Sequence, residues 1–120
     1  MTNPLHHRRS WLAFNGALCA AGAVALAAYA AHGVEGESQS RLQLAAVFAF
    51  GHGLALAVLA RMAMPRLGRF ALWLLYAGVL LFCGSLVMSV LAQWPTTLAP
   101  LGGVLLVGGW LLYAADSLRH

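Results

Sequence analysis

The sequence predicts an all-α fold, an integral membrane four-helix bundle with antiparallel neighbours and both termini on the cytoplasmic side. Three observations carry that prediction. Hydrophobic residues make up 62% of the 120 positions and charged residues only 8%, against about 25% charged in ordinary soluble domains. The apolar residues gather into four runs, each near the roughly 20 residues that cross a hydrocarbon core about 30 Å thick. The arginines fall between those runs and mostly on one side of them. The length allows one transmembrane domain spanning 1–120.

The first run, WLAFNGALCAAGAVALAAYAA, covers 11–31; the others cover 42–60, 70–93 and 98–115. Backbone groups left unpaired in lipid are costly, so runs of this length must be helices. The connections are short (HGVEGESQSR, RMAMPRLGR and QWPTTLAP), which forces consecutive helices to be antiparallel neighbours. Pro65 and Gly68 interrupt the second connection, and Pro95 and Pro100 bracket the third. The opening HHRR and the Ala28-Tyr29-Ala30 triplet also resemble a secretory signal peptide with its cleavage site. The first run is longer than the usual apolar stretch of about 7 to 15 residues, which favours a retained helix.

All basic charges are arginines, and they set the orientation, because short cytoplasmic loops retain an excess of basic residues. Arg8, Arg9, Arg61, Arg66, Arg69 and Arg119 lie on one side and only Arg41 on the other. This places the chain as a multi-pass protein of the bacterial inner membrane, with lipids as its partners. A net charge of +4 does not point to nucleic acid, since no soluble surface gathers the arginines. Trp11, Trp73, Trp94 and Trp110 lie mostly toward segment ends, as interfacial tryptophans do.

Helices in lipid associate by close packing of small residues. Ala45, Ala49, Gly53 and Ala57 form such a stripe at four-residue spacing; Gly16 and Ala20, and the doublets Gly102-Gly103 and Gly108-Gly109, offer others. These faces suit ordinary packing seams and leave room for a homo-oligomer.

One titratable side chain interrupts the second run: His52, in FAFGHG. With a rise of about 1.5 Å per residue it lies about 15 Å below the arginine-poor boundary, near the bilayer centre. A neutral imidazole there needs one donor and one acceptor satisfied. Its own helical face offers no polar side chain, so the partner is expected on helix one or three. Cys83 and Ser85, about 10 and 8 Å deep, are candidates, and with Tyr29 and His32 they describe an intramembrane polar cluster around His52. Intramembrane ionisable groups are functional-site hypotheses, but no carboxylate lies at comparable depth to make an acid–base pair. No HxxxH or CxxC spacing sets a metal geometry, and no GxSxG elbow or phosphate loop occurs. Catalytic, metal and cofactor sites are therefore not expected. Cys19 and Cys83 read as small packing residues.

Four stretches in order carry a family likeness: AAYAAHG at 27–33, FAFGH at 48–52, LFCGSL at 81–86 and APLGGVLLVGGW at 99–110. They resemble GAFGAH, YQxxH, LFSGSL and TPxGGxxFxxGW of the domain of unknown function 423 family, the YgdD-like and YwdK-like small membrane proteins. The resemblance places His32 and His52 on two family histidines. Phe48 and Ala49 stand where the family has Tyr and Gln, Cys83 replaces a serine and Ala99 a threonine. What the resemblance implies is a four-helix membrane protein without an established activity. The expected function is a non-enzymatic structural or accessory membrane component. The alternatives are a small proton or solute transporter or channel subunit using the cluster around His52 and, ranked lowest, an intramembrane enzyme.

Overall fold

A computed structural model describes residues 9–119; Arg8 and the terminal histidines His6, His7 and His120 lie outside the described residues. It contains four helices, α1 (Trp11–Gly33), α2 (Gly36–Leu59), α3 (Arg66–Leu91) and α4 (Leu98–Leu118), and no strand among the described residues. Each helix is long and apolar enough to cross a membrane. At 21 to 26 residues they measure about 32 to 39 Å, somewhat more than the hydrocarbon core.

The helix ends follow capping chemistry rather than hydropathy. Ser10 accepts a hydrogen bond from the Ala13 N–H at 3.1 Å and caps α1. Helix α2 starts at Gly36, six residues before its apolar run, because GESQSR continues the helix into the polar boundary. Only Val34 and Glu35 separate it from α1, and Gly36 adopts φ +69 to make this tight link. The Gln39 amide then reaches back to the Ala30 carbonyl at 2.9 Å, occupying one of the unpaired carbonyls at the end of α1. Helix α3 stops at Leu91, with Gln93 left-handed at φ 58 and the Met88 carbonyl accepting from both Ala92 and Trp94.

Consecutive helices pack as two zipped hairpins. In the α3/α4 hairpin Gly68 lies against Asp116, Leu75 against Gly109, Gly78 against Leu106 and Phe82 against Gly102. Stepping seven residues forward along α3 from Gly68 to Leu75 to Phe82 steps seven back along α4, so the seam has the heptad period of a left-handed antiparallel pair. In the α1/α2 hairpin Gly16 meets Gly53, Leu56 and Ala57, and Gly53 meets Cys19 and Ala20. Buried Leu12, Gly16, Ala23 and Ala30 fall on one alternating three-and-four spacing, matched by Leu42, Ala46, Gly53, Leu56 and Ala60 on α2. The small-residue stripe read at strict four-residue spacing is thus divided: Gly53 and Ala57 meet α1, whereas the Ala45 carbonyl accepts a bond from Cys83 of α3. On α4, Gly102 and Gly109 pack against α3 while Gly103 and Gly108 face open space.

The hairpins join through α2 and α3, and no Cα of α4 comes within 8 Å of α1 or α2. The shared core contains Leu12, Leu56, Leu72, Leu75, Val79 and Leu106. Large apolar side chains cover the outside, among them Val47 at 68% and Val104 at 66% exposed. Continuous apolar surface on every helix suits lipid and not water, which makes this a multi-pass membrane protein.

A matched pair of substitutions tests the seam. A Cβ at Gly102 would stand 2.5 Å from the Phe82 nitrogen and 2.8 Å from the Gly78 oxygen, both backbone atoms. Gly102→Ala is expected to destabilise the protein in detergent unfolding by about 1 to 3 kcal/mol. Gly103→Ala meets nothing within 4 Å, and is expected to be neutral or to gain up to about 1 kcal/mol of helix propensity.

Candidate functional site

The second face of α2, carrying Ala45, Phe48 and His52 at spacing three and four, turns from α1 toward α3 and α4. There the His52 ring makes two hydrogen bonds. Its Nδ1 lies 2.8 Å from the Phe48 carbonyl oxygen one turn earlier, and its Nε2 accepts the Trp110 indole N–H at 3.0 Å. A carbonyl only accepts and an indole N–H only donates. Nδ1 must therefore carry the hydrogen and Nε2 the lone pair, which fixes a neutral ring with both nitrogens occupied.

Helix α4 brings Trp110 within reach because Gly109, its neighbour, lets α4 close on Leu75 and Ala71 of α3. One position further round the helix, the indole extends over α3 toward α2. The bond thus crosses a gap that the two backbones leave open. Aromatic contacts continue it in both directions. Phe48 stacks on His52 with centroids 5.7 Å apart and planes at 18°, and meets Phe82 of α3 at 4.7 Å. Trp110 meets Tyr113 edge-on at 6.0 Å. The five rings form a strip across α3, α2 and α4, each aromatic contact worth about 0.5 to 1.5 kcal/mol.

The expected cluster of His52, His32, Ser85, Cys83 and Tyr29 is not gathered into one place. Cys83 donates to the Ala45 carbonyl of α2 at 3.3 Å. Ser85, two residues on and so about 200° further round the helix, is buried with no partner for its hydroxyl. The α3/α4 register sets it level with Ala99. Tyr29 packs its ring over Gly33, and His32 lines a hollow at the α1–α2 link with Glu35 and Gln39. They lie about 14 Å and about 18 Å, respectively, along the axis from the level of His52. Depth brought these residues together in the sequence reading; their directions around the helices keep them apart.

The remaining polar groups are local. Arg41 pairs with Glu37 at 2.8 Å and donates to Ser89 at 3.2 Å, and Ser89 donates to the Leu86 carbonyl, tying α2 to α3. Asn15 donates to the Trp11 carbonyl. The one buried carboxylate, Asp116, sits beside Gly68 in the first turn of α3, at the opposite end from Arg41. Among the described residues no three His, Cys, Asp or Glu side chains gather closely enough to hold a metal ion.

Comparison with known proteins shows the family to which the chain belongs. The family described as "Protein of unknown function (DUF423)" matches residues 26–103. The "UPF0382 membrane protein SAB0533" of Staphylococcus aureus (strain bovine RF122 / ET3-1) is 35% identical over 105 residues, covering 81% of this chain and 86% of its own. The "UPF0382 membrane protein YwdK" of Bacillus subtilis (strain 168) is 33% identical over 115 residues, covering 88% and 94% respectively. This chain belongs to the DUF423 (UPF0382) family. No solved structure matches it.

For this DUF423 protein, two of the stretches that carried the family likeness end on residues that bond to each other, FAFGH at His52 and APLGGVLLVGGW at Trp110. The likeness puts a Tyr-Gln pair at positions 48 and 49, where this chain has Phe48 and Ala49. Here the Phe48 bond uses the backbone carbonyl, and the indole supplies the polar contact from another helix. Sequence reasoning missed Trp110 by grouping it with interfacial tryptophans. Twelve residues into α4 it lies about 18 Å deep, level with His52, and that arithmetic was available.

A double-mutant cycle measures the bond. His52→Ala and Trp110→Phe are each expected to lower stability in detergent by about 1 kcal/mol, and the double variant by less than their sum, with a coupling of about 0.5 to 1.5 kcal/mol. Strict additivity would assign the bond no stabilising role.

Proposed function

We propose that this protein is a non-enzymatic structural or accessory component of the bacterial inner membrane, with both termini on the cytoplasmic side and His52 serving as an interhelical strut. The observation that carries this reading is the commitment of both His52 nitrogens to internal partners. A proton relay needs a nitrogen free to exchange with a neighbouring acid, base or water, and each His52 nitrogen instead faces a fixed group. Among the described residues the one buried carboxylate, Asp116, packs beside Gly68 at the N-terminal end of α3. The relatives are named as membrane proteins. The orientation is supported by the arginines: Arg9, Arg61, Arg66, Arg69 and Arg119 lie at one end of the helices, and Arg41 at the other is already paired with Glu37.

Two measurements test the reading. A C-terminal green fluorescent protein fusion is expected to fluoresce and an alkaline phosphatase fusion at the same point to be inactive; the reverse would invert the orientation. Protein reconstituted in liposomes is expected to show no pH-gradient-driven flux. A flux that His52→Ala abolishes would replace the strut with a relay.

A further inference from the structure

The first turns of α3 carry an arrangement that neither the fold nor the His52 strip uses. Arg66, Arg69 and Trp73 stand at i, i+3 and i+7, on one face of the helix. That face points away from Gly68, Ala71 and Leu75, which pack toward α4. Both arginines are exposed, and Trp73 is 53% exposed. No carboxylate pairs with them: among the described residues the ion pair of Arg41 with Glu37 stands at the opposite end, and Asp116 lies on the α4 side of α3. The contrast with Arg41 is informative, since the arginine at the other end is neutralised within the protein and these two are not.

The Arg69 guanidinium is held rather than consumed. Arg69 folds across the α2–α3 turn so that Nη1 and Nη2 both lie 3.4 Å from the Ala60 carbonyl, at the long limit of hydrogen bonding. Most of its N–H donors stay available. The cap residue of α3, Pro65, supplies no side-chain bond, so the positive end of the helix dipole adds to the same corner. Trp73 lies about 6 Å deeper than Arg69, with Tyr76 edge-on to its ring at 6.0 Å. Helix α3 exceeds the hydrocarbon thickness by about 9 Å; with that excess at its N-terminal end, Arg66 and Arg69 reach headgroup level and Trp73 the ester boundary below them.

We propose that Arg66, Arg69 and Trp73 form a binding site for one anionic phospholipid in the leaflet at this end of the protein. The guanidinium forks take the phosphate, whose geometry they match in bidentate fashion. The indole N–H of Trp73 meets the ester oxygens, as interfacial tryptophans do. The assignment holds for either orientation of the protein in the membrane.

The test uses the full chain in nanodiscs of phosphatidylcholine containing phosphatidylglycerol, with bromine on the acyl chains of one lipid at a time. Quenching at Trp73 is read as the difference between the wild type and Trp73→Phe. The expected result is an association with phosphatidylglycerol about fivefold or more above phosphatidylcholine. It should fall to near parity in Arg66→Gln/Arg69→Gln and persist in Arg9→Gln/Arg119→Gln, which removes the same charge from the same end. Arg66→Lys/Arg69→Lys keeps the charge but loses the fork, and is expected to reduce the preference at least twofold. Circular dichroism confirms that each variant is folded. No preference in the wild type, or equal losses in the two Gln pairs, would overturn the site in favour of diffuse charge. Loss of the preference on adding inorganic phosphate, but not chloride at equal ionic strength, would reassign it to soluble phosphate.

Discussion

Leucine gains nothing by leaving lipid for another helix, so the cohesion of this protein rests on how closely its backbones approach. Glycine sets that distance. At Gly16 and Gly53 between α1 and α2, and at Gly102 between α3 and α4, a single added methyl would collide with main-chain atoms of the neighbour. These contacts allow dense packing that larger side chains would prevent, and the heptad spacing around them lets Leu12, Leu56, Leu75 and Leu106 fill the flanking space. The remaining tertiary contacts are arranged on two preformed hairpins.

The junction between the hairpins is chemically different. It relies on directed contacts: the strip from Phe82 through His52 to Tyr113, the Cys83 bond to the Ala45 carbonyl, and Arg41 bonded to Ser89. Polar bonds in a bilayer are worth about 1 kcal/mol each, so no single one holds the junction. Their value lies in fixing relative position, because each donor has one acceptor at one level. His52 is the member with the most to lose, since an imidazole stripped of Trp110 would leave an unpaired nitrogen in a region poor in water.

The four helices and their order were legible in the sequence because crossing lipid demands long uncharged runs, and nothing else in so short a chain produces them. Stripe-like small residues were legible too, but the neighbour each one meets was not: Ala45 and Ala49 look equivalent at four-residue spacing, and only the three-and-four alternation assigns Ala45 to α3. The His52 site was half legible. Its need for a donor and an acceptor follows from imidazole chemistry, whereas the partners depend on direction around the helix. Cys83 and Ser85 show this most clearly: both are at suitable depth, yet they lie about 200° apart around α3 and neither bonds to the ring. The Phe48 carbonyl is a main-chain acceptor, which a pattern of side chains does not reveal.

The glycine seams have a bearing on the order of events during synthesis. Each joins helices that are adjacent in the chain, with only Val34 and Glu35 between α1 and α2, so little loop entropy opposes closure and each pairing is local. All the residues of the first hairpin's seam precede α3 in the chain. Up to that point in the chain His52 has only the carbonyl of its own helix, and its second partner follows 58 residues later, in α4. Closing the Trp110 bond therefore waits for α4, and the imidazole stays half satisfied until that helix is in place.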